Sequence, residues 1–353
     1  MRAVPADSEL LTSLVQVGRA VAGEAARDHA PVLLADRPGG GAVVQVGDLV
    51  VKAHRAGADP AALAARLRIA AHPLLREVLL APLPVPPEAS PRAGTSGPSV
   101  AGTGRLLLQA GDRLVSVWPA GETVSPTDPD AAPWAQAARL LARLHALPAG
   151  RAAGSEPPPP AGGPARVARA LARMRAVEAA PARAAVLQAA AGLPPWARGH
   201  AEPAASRARD AALVHGDWHL GQLVRHAGQA AAVTAGPGPR TPATRRAGGW
   251  RLIDVDDLGS GDPAWDLARA AALLAAGLLA PVLWERFLAA YRAAGGRALP
   301  PDGDPWPVLD VPARALTVQM AALGTTAAGD DGRPLDGVET ALVDACRRIA
   351  AFG

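Results

Sequence analysis

The apolar residues of this chain change their period after the first helical stretch, and that change constrains the fold more than any other feature. Over residues 8 to 29 they recur at helical spacing, with Leu10, Leu11, Leu14, Val17 and Val21 on one stripe. Short runs then follow, cut by Gly, Pro and Asp. Pro31 to Leu34, Ala42 to Val46 and Leu49 to Lys52 read as strands, with turns at Pro38-Gly39-Gly40-Gly41 and Gly47-Asp48. Asp59-Pro60 supplies an N-cap and a first-position proline for a helix to about Ala71. Beyond a Pro/Gly/Ser-rich stretch from Pro82 to Gly104, Arg105 to Gln109 and Arg113 to Val117 flank an Ala110-Gly111-Asp112 turn. The expectation is an antiparallel five-stranded sheet with one intervening helix.

From Trp118-Pro119-Ala120-Gly121 onward the pattern is mainly helical. Pro133 to Leu147 places Ala137, Leu140, Leu141 and Leu144 on one face. Two low-complexity segments, Ala149 to Ala165 with its four consecutive prolines and Ala227 to Gly249, are expected to be poorly ordered loops, because they lack the apolar content to offset ordering entropy. The organisation expected is a small lobe over 1–117, a hinge at 118–122 and a helical large lobe over 123–353.

Composition narrows the function classes. A chain of 353 residues buries a sizeable core, and Cys346 is its one cysteine, so no internal disulfide forms and a reducing, cytoplasmic setting is expected. The longest greasy stretch, Ala270 to Leu283, contains Gly277 and Pro281, and the first residues lack a long apolar core behind a basic start; neither a membrane span nor a signal peptide is expected. The pI near 10.3 accompanies a formal charge of only +4. With one tyrosine, one cysteine and arginines scattered among acids, that value reports composition rather than a nucleic-acid-binding patch.

Of the 36 lysine and arginine residues, one alone, Lys52, is lysine, and the chain has no asparagine. Where arginine serves as the general cation, a retained ammonium at the end of a strand points to a site that needs a compact point charge, such as phosphate oxygens in a tight space. A second cluster lies later. Leu213 to Val224 includes His215-Gly216-Asp217 in a turn and Gln222 five positions after the carboxylate; Trp250 to Asp257 is a second apolar strand ending in Asp254, Asp256 and Asp257. A hairpin with these ends sets Asp217, Gln222 and Asp254 side by side. Hard oxygen ligands of this kind suit Mg²⁺ with phosphates, and phosphoryl transfer also needs a carboxylate to orient and deprotonate the attacking hydroxyl.

These residues resemble the aminoglycoside phosphotransferase and choline kinase superfamily. His215-Gly216-Asp217 with Gln222 is similar to its catalytic loop, Leu252-Ile253-Asp254-Val255-Asp256 to its metal-binding strand, Gly261-Asp262-Pro263-Ala264-Trp265-Asp266-Leu267-Ala268 to the helix start that follows, and Leu144-His145-Ala146-Leu147-Pro148 to the end of its first large-lobe helix. The resemblance implies an α+β, protein-kinase-like bilobal fold. It further implies an enzyme that transfers the γ-phosphoryl group of ATP, with Mg²⁺, to a hydroxyl of a sugar, amino sugar or aminoglycoside-like acceptor. By the same resemblance Asp217 is the catalytic base, Gln222 and Asp254 are the magnesium ligands and Lys52 contacts the nucleotide phosphates. Trp118 would lie near adenine and Gly40, in the Gly-rich turn, over the phosphates. Asp266 would brace the catalytic loop, His215 would order it, and His219 and Asp256 would assist. Asp257 is expected to be solvated, and Asp302, Asp304 and Asp310 would receive an amino-bearing acceptor.

Two departures stand out. Gln222 replaces the usual asparagine, a version similar to that of maltokinases and actinobacterial glucosamine kinases. The helix after Lys52 has no glutamate to pair with it, which leaves Asp59, Glu77 and Glu24 as alternatives. These departures support the rival reading, a catalytically inactive kinase-like protein that binds nucleotide or a small ligand. A zinc site at His215 and His219 is disfavoured, since Gly216 opposes a helix there and no glutamate separates the pair.

Overall fold

The structure is a computed structural model that describes residues 8–23, 29–36, 41–86, 89, 105–125, 127–153, 156–175, 181–200, 211–226 and 248–352. The chain forms two compact units, one of residues 3–127 with 221–254 and one of 128–220 with 255–353. Glu24, Gly40 and most of the segment Ala227 to Gly249 lie outside the described residues.

The first unit is built on a five-stranded antiparallel sheet of β1 (Val32–Asp36), β2 (Ala42–Val46), β3 (Leu49–Ala53), β4 (Leu108–Ala110) and β5 (Arg113–Pro119), in the order β1-β2-β3-β5-β4. This is the sheet expected from the sequence. Helix α1 (Ser8–Ala22) packs on β2 and β3. It holds the whole apolar stripe from Leu10 to Val21, and Gly23 takes φ +64 just past its end, where a left-handed residue stops a helix. Leu14 and Val17 are fully buried against Val44, Val46, Val51, Val115 and Val117. Each such burial contributes roughly 1.5–3 kcal/mol. Alternation along β3 sends Val51 and Ala53 into this core and therefore Lys52 to the opposite face; a one-residue slip would reverse the assignment. Lys52 lies between Val43 of β2 and Ser116 of β5. Helix α2 (Pro60–Ala70) begins as its sequence predicts, with the Asp59 carboxylate accepting the N–H groups of Ala61 and Ala62.

A second, three-stranded sheet in the same unit pairs Glu122–Thr123 with Leu223–His226 and the latter with Gly249–Leu252. Leu252 is clamped from both sides, its N–H donating to the Val78 carbonyl and its carbonyl accepting from Leu80.

The second unit is helical. Trp134–Ala146 packs on Pro281–Ala293, and Trp306–Asp330 packs on Ala264–Ala275, Gly163–Met174 and Gly337–Phe352. A short antiparallel pair, Ala212–Val214 with Gly259–Gly261, runs through it. The proline-rich segment departs from expectation. Ala149–Ala153 is helical, and the Pro159 carbonyl accepts the Ser260 N–H while the Ala161 N–H donates to the Ser260 carbonyl. Proline's fixed φ already suits an extended edge, and the ladder passes over Pro160, which has no N–H to offer. No helix among the described residues is long and apolar enough to cross a membrane.

Candidate active site

Three of the sequence-selected residues meet in the first unit. The backbone bond from the Ile253 N–H to the Gln222 carbonyl, 3.0 Å, closes the hairpin and brings Gln222 beside Asp254. The Gln222 Nε2 then donates to Asp254 Oδ2 at 3.0 Å, and the Lys52 ammonium lies 2.6 Å from Asp254 Oδ1. Asp254 is the one non-glycine among the described residues with a positive φ, +62. A left-handed conformation there costs on the order of 1–3 kcal/mol and persists where the surroundings enforce it, which is common at functional sites. Lys52 thus meets an acid at the strand end itself. Glu77 instead pairs with Arg251 at 2.6 Å, and Asp59 is used as the α2 cap.

With Nε2 turned to Asp254, Gln222 has its amide oxygen to offer a cation. Two oxygen donors, one of them anionic, fit Mg²⁺, which keeps waters and substrate phosphates in its remaining positions. No group of three His, Cys, Asp or Glu side chains able to hold a metal occurs among the described residues. Trp118, on β5, is buried, and its indole N–H donates to Ser116 Oγ at 2.8 Å; that hydroxyl also bonds His54.

Asp217 lies in the second unit, on the loop that leaves Ala212–Val214. Asp266, fully buried at the start of Ala264–Ala275, fixes this loop: its two oxygens accept the His215 N–H at 2.7 Å and the Gly216 N–H at 2.8 Å. Gly216 has φ +81, and a Cβ there would sit 2.2 Å from the Asp257 carbonyl oxygen, so only glycine fits. His145 Nε2 lies 3.0 Å from Asp266 and its Nδ1 lies 2.7 Å from the Tyr291 hydroxyl, which accepts the Ala298 N–H. With Nε2 on the carboxylate and Nδ1 on the tyrosine hydroxyl, both ring nitrogens have a partner. Desolvation alone would raise the Asp266 carboxyl; hydrogen bonding and charge from His145, with the loop N–H, hold it below the ordinary carboxylate value instead. Trp218, next to Asp217, is buried and stacks on Phe287 with ring centroids 5.1 Å apart.

Asp217 itself is held by two guanidiniums that the sequence reading did not select. Arg269 reaches Oδ1 at 2.7 Å and Arg166 reaches Oδ2 at 2.6 Å. Arg166 also binds Asp257 at 2.6 Å, and Arg169 lies 3.3 Å from the same carboxylate. Asp257 is therefore an organising residue rather than a solvated one, and its carbonyl also accepts the Gly162 N–H. Burial lifts the Asp217 carboxyl above its ordinary range, and Arg166 and Arg269 oppose the rise. The available sequence signal was spacing: Arg166 and Arg169 share a helical face, and Arg269 follows Asp266 by one turn. Among dozens of arginines, that spacing did not single them out. His219 and Asp256 are both half-buried, on the loop that carries Asp217 and in the turn Val255–Asp257.

No protein-family model and no curated protein matches this sequence. Solved structures do match. A choline/ethanolamine kinase family protein from Mesorhizobium loti superposes with a TM-score of 0.51 at 16% identity, over 95% of this chain and 92% of that one. The chain has the kinase-like fold. Other kinase-like folds match with lower scores: a putative aminoglycoside phosphotransferase from Ralstonia eutropha (TM-score 0.49, 14% identity, 98% of this chain and 96% of that one) and a choline kinase from Streptococcus pneumoniae (0.49, 12%, 92% and 94%). At such identities it is the kinase-like fold that is shared, and the chemistry must be argued from the residues.

Proposed function

We propose that this protein is an ATP- and Mg²⁺-dependent small-molecule kinase that phosphorylates a hydroxyl of a sugar-sized acceptor. The observation that carries the reading is the Lys52, Asp254 and Gln222 set, in which the chain's one ammonium meets a carboxylate held at positive φ, beside an amide. In this reading Lys52 exchanges Asp254 for nucleotide phosphate oxygens. Asp254 and the Gln222 amide oxygen would hold Mg²⁺, which neutralises charge on the phosphates when bound. The Trp118 side of the sheet and the Gly40 turn belong to the nucleotide half of the proposal.

Asp217 is assigned the acceptor hydroxyl. As the acceptor oxygen bonds to the γ-phosphorus, the bridging bond to ADP breaks, ADP leaves with the electron pair, and the hydroxyl proton passes to Asp217. Chain connectivity supports joining these functions, since Asp217 precedes Gln222 by five positions on one loop. An amino-bearing acceptor at Asp302, Asp304 and Asp310 has little support: the Asp304 carboxylate accepts the Trp306 N–H, and Asp310 pairs with Arg314.

Asp217→Asn tests the assignment. Loss of ADP-forming turnover by about 10²-fold or more is expected for removal of a positioned base, with nucleotide binding kept. A second reading, an inactive nucleotide-binding relative, draws on the occupation of both Asp217 oxygens by arginine and on Gln222. It predicts a melting-temperature rise with MgATP and no turnover on any acceptor. Lys52→Ala should diminish that rise; a Lys52→Ala protein stabilised as strongly as the parent refutes the nucleotide assignment itself.

A further inference from the structure

The chain has one tyrosine and two phenylalanines, and the helix Pro281–Ala293 places one of each beside the loop that carries Asp217 and its brace. Phe287 and Tyr291 lie one turn apart on a single buried stripe. Phe287 receives Trp218, the neighbour of Asp217, in an apolar stack. Tyr291 instead faces His145, the residue that bonds Asp266, and its hydroxyl lies 2.7 Å from the imidazole Nδ1. Another phenylalanine would fill nearly the same space, so the oxygen is what distinguishes this position.

That residue is fully buried, and the backbone closes round it. Gly295, just past the helix end, takes φ +73, and Gly296 lies so close against the ring that a Cβ there would sit 2.1 Å from Cε1. The turn brings the Ala298 N–H onto the hydroxyl at 3.0 Å. A backbone N–H can only donate, so the phenolic proton must be placed elsewhere. Burial pushes the Tyr291 hydroxyl above its ordinary value, and at neutral pH the proton stays on the oxygen. Among the described residues His145 Nδ1 is the one acceptor within its reach, and a buried donor left without an acceptor is costly.

We propose that Tyr291 is a positioning residue of this site: by donating to Nδ1 it holds His145, at neutral pH, in the neutral tautomer whose Nε2–H is given to Asp266 Oδ2. The catalytic consequence rests on the kinase reading; the tautomer does not. Oδ2 also takes the His215 N–H, so the proton arrangement set at Tyr291 passes through imidazole and carboxylate to the backbone just before Asp217. The opposite tautomer would turn the Nε2 lone pair on the carboxylate and leave the phenolic proton unplaced. An imidazolium would also put a proton on Nδ1 and strand the phenolic one. In both cases the hydroxyl would work against the brace that it now completes.

Heteronuclear NMR of the imidazole nitrogens in the full chain reads the tautomer directly. At neutral pH the His145 signals, identified by their loss in His145→Gln, should show Nδ1 unprotonated and Nε2 protonated. Tyr291→Phe keeps the ring and removes the hydroxyl, so its His145 should lose that single-tautomer pattern. Its kcat should fall about tenfold or more through a displaced loop, with the KM for ATP unchanged, because Lys52, Gln222 and Asp254 belong to the other compact unit. A parent protein with His145 protonated at Nδ1, alone or together with Nε2, overturns the proposal, and this holds even where Tyr291→Phe fails to fold. So does a Tyr291→Phe protein that keeps the parental tautomer or the parental kcat. A variant that loses kcat and ATP affinity together also overturns it, by marking a role in general packing. Absence of turnover in the parent on any acceptor indicts the kinase reading, and the parental spectrum then still decides the tautomer.

Discussion

Asp217 and Asp266 are two carboxylates at one loop, the first carried by it and the second bonded to its backbone N–H groups, and their surroundings drive them in opposite directions. Asp217 is raised by burial against two opposing guanidiniums. Since a base must be ionised to accept a proton, turnover should fall as pH drops through this elevated value, at higher pH than an ordinary aspartate would give. Arg166→Gln removes a cation that favours the ionised form, so the acid limb of its rate profile should move to still higher pH. A limb that stays in place or shifts downward would show that Arg166 does not act on the Asp217 titration. Asp217, Lys52 and Asp254 could be selected from the sequence, because each stands in a short local pattern. The Lys52 partner could not, for it lies 202 positions away.

At the scale of elements, α1 is fixed by its apolar stripe and the sheet by its alternation. Leu14→Ala should cost about 2–5 kcal/mol through lost burial and the cavity left behind, seen as a lower urea midpoint at unchanged slope. The loop bearing Asp217 depends instead on the Asp266, His145 and Tyr291 chain. The Asp266 carboxyl is depressed in the folded protein, so its stabilisation is present above the unfolded-state value and is lost as pH falls through the folded one. Asp266→Asn turns a donor toward one of two backbone N–H groups. It should destabilise by about 3 kcal/mol at neutral pH, with the deficit shrinking in acid. The sequence located His145 and Asp266 in recognisable segments, yet the chain's one tyrosine as their third member emerged only from packing. Likewise, the proline-rich segment looked like a linker by composition, and its pairing with Ser260 depends on a strand about a hundred residues later.

For the whole molecule, nucleotide binding is a linkage test that does not depend on the acceptor. At about 100 times its dissociation constant, MgATP should stabilise the protein by about 2.7 kcal/mol, a rise of several degrees in melting temperature. Asp217→Asn should retain that rise although turnover is lost, because Lys52, Gln222 and Asp254 belong to the other compact unit. A rise that disappears with Asp217 would contradict this division of labour. The sequence by itself determined the order of strands and helices, the special status of Lys52 and the loop that carries Asp217, since periodicity, turn residues and short spacings act over a few neighbouring positions. Only the tertiary structure decided which of the many arginines reach Asp217, which acid meets Lys52 and what a tyrosine does beside His145. Those choices join residues distant along the chain, and an ion pair or a buried hydrogen bond is fixed by where folding places its two ends.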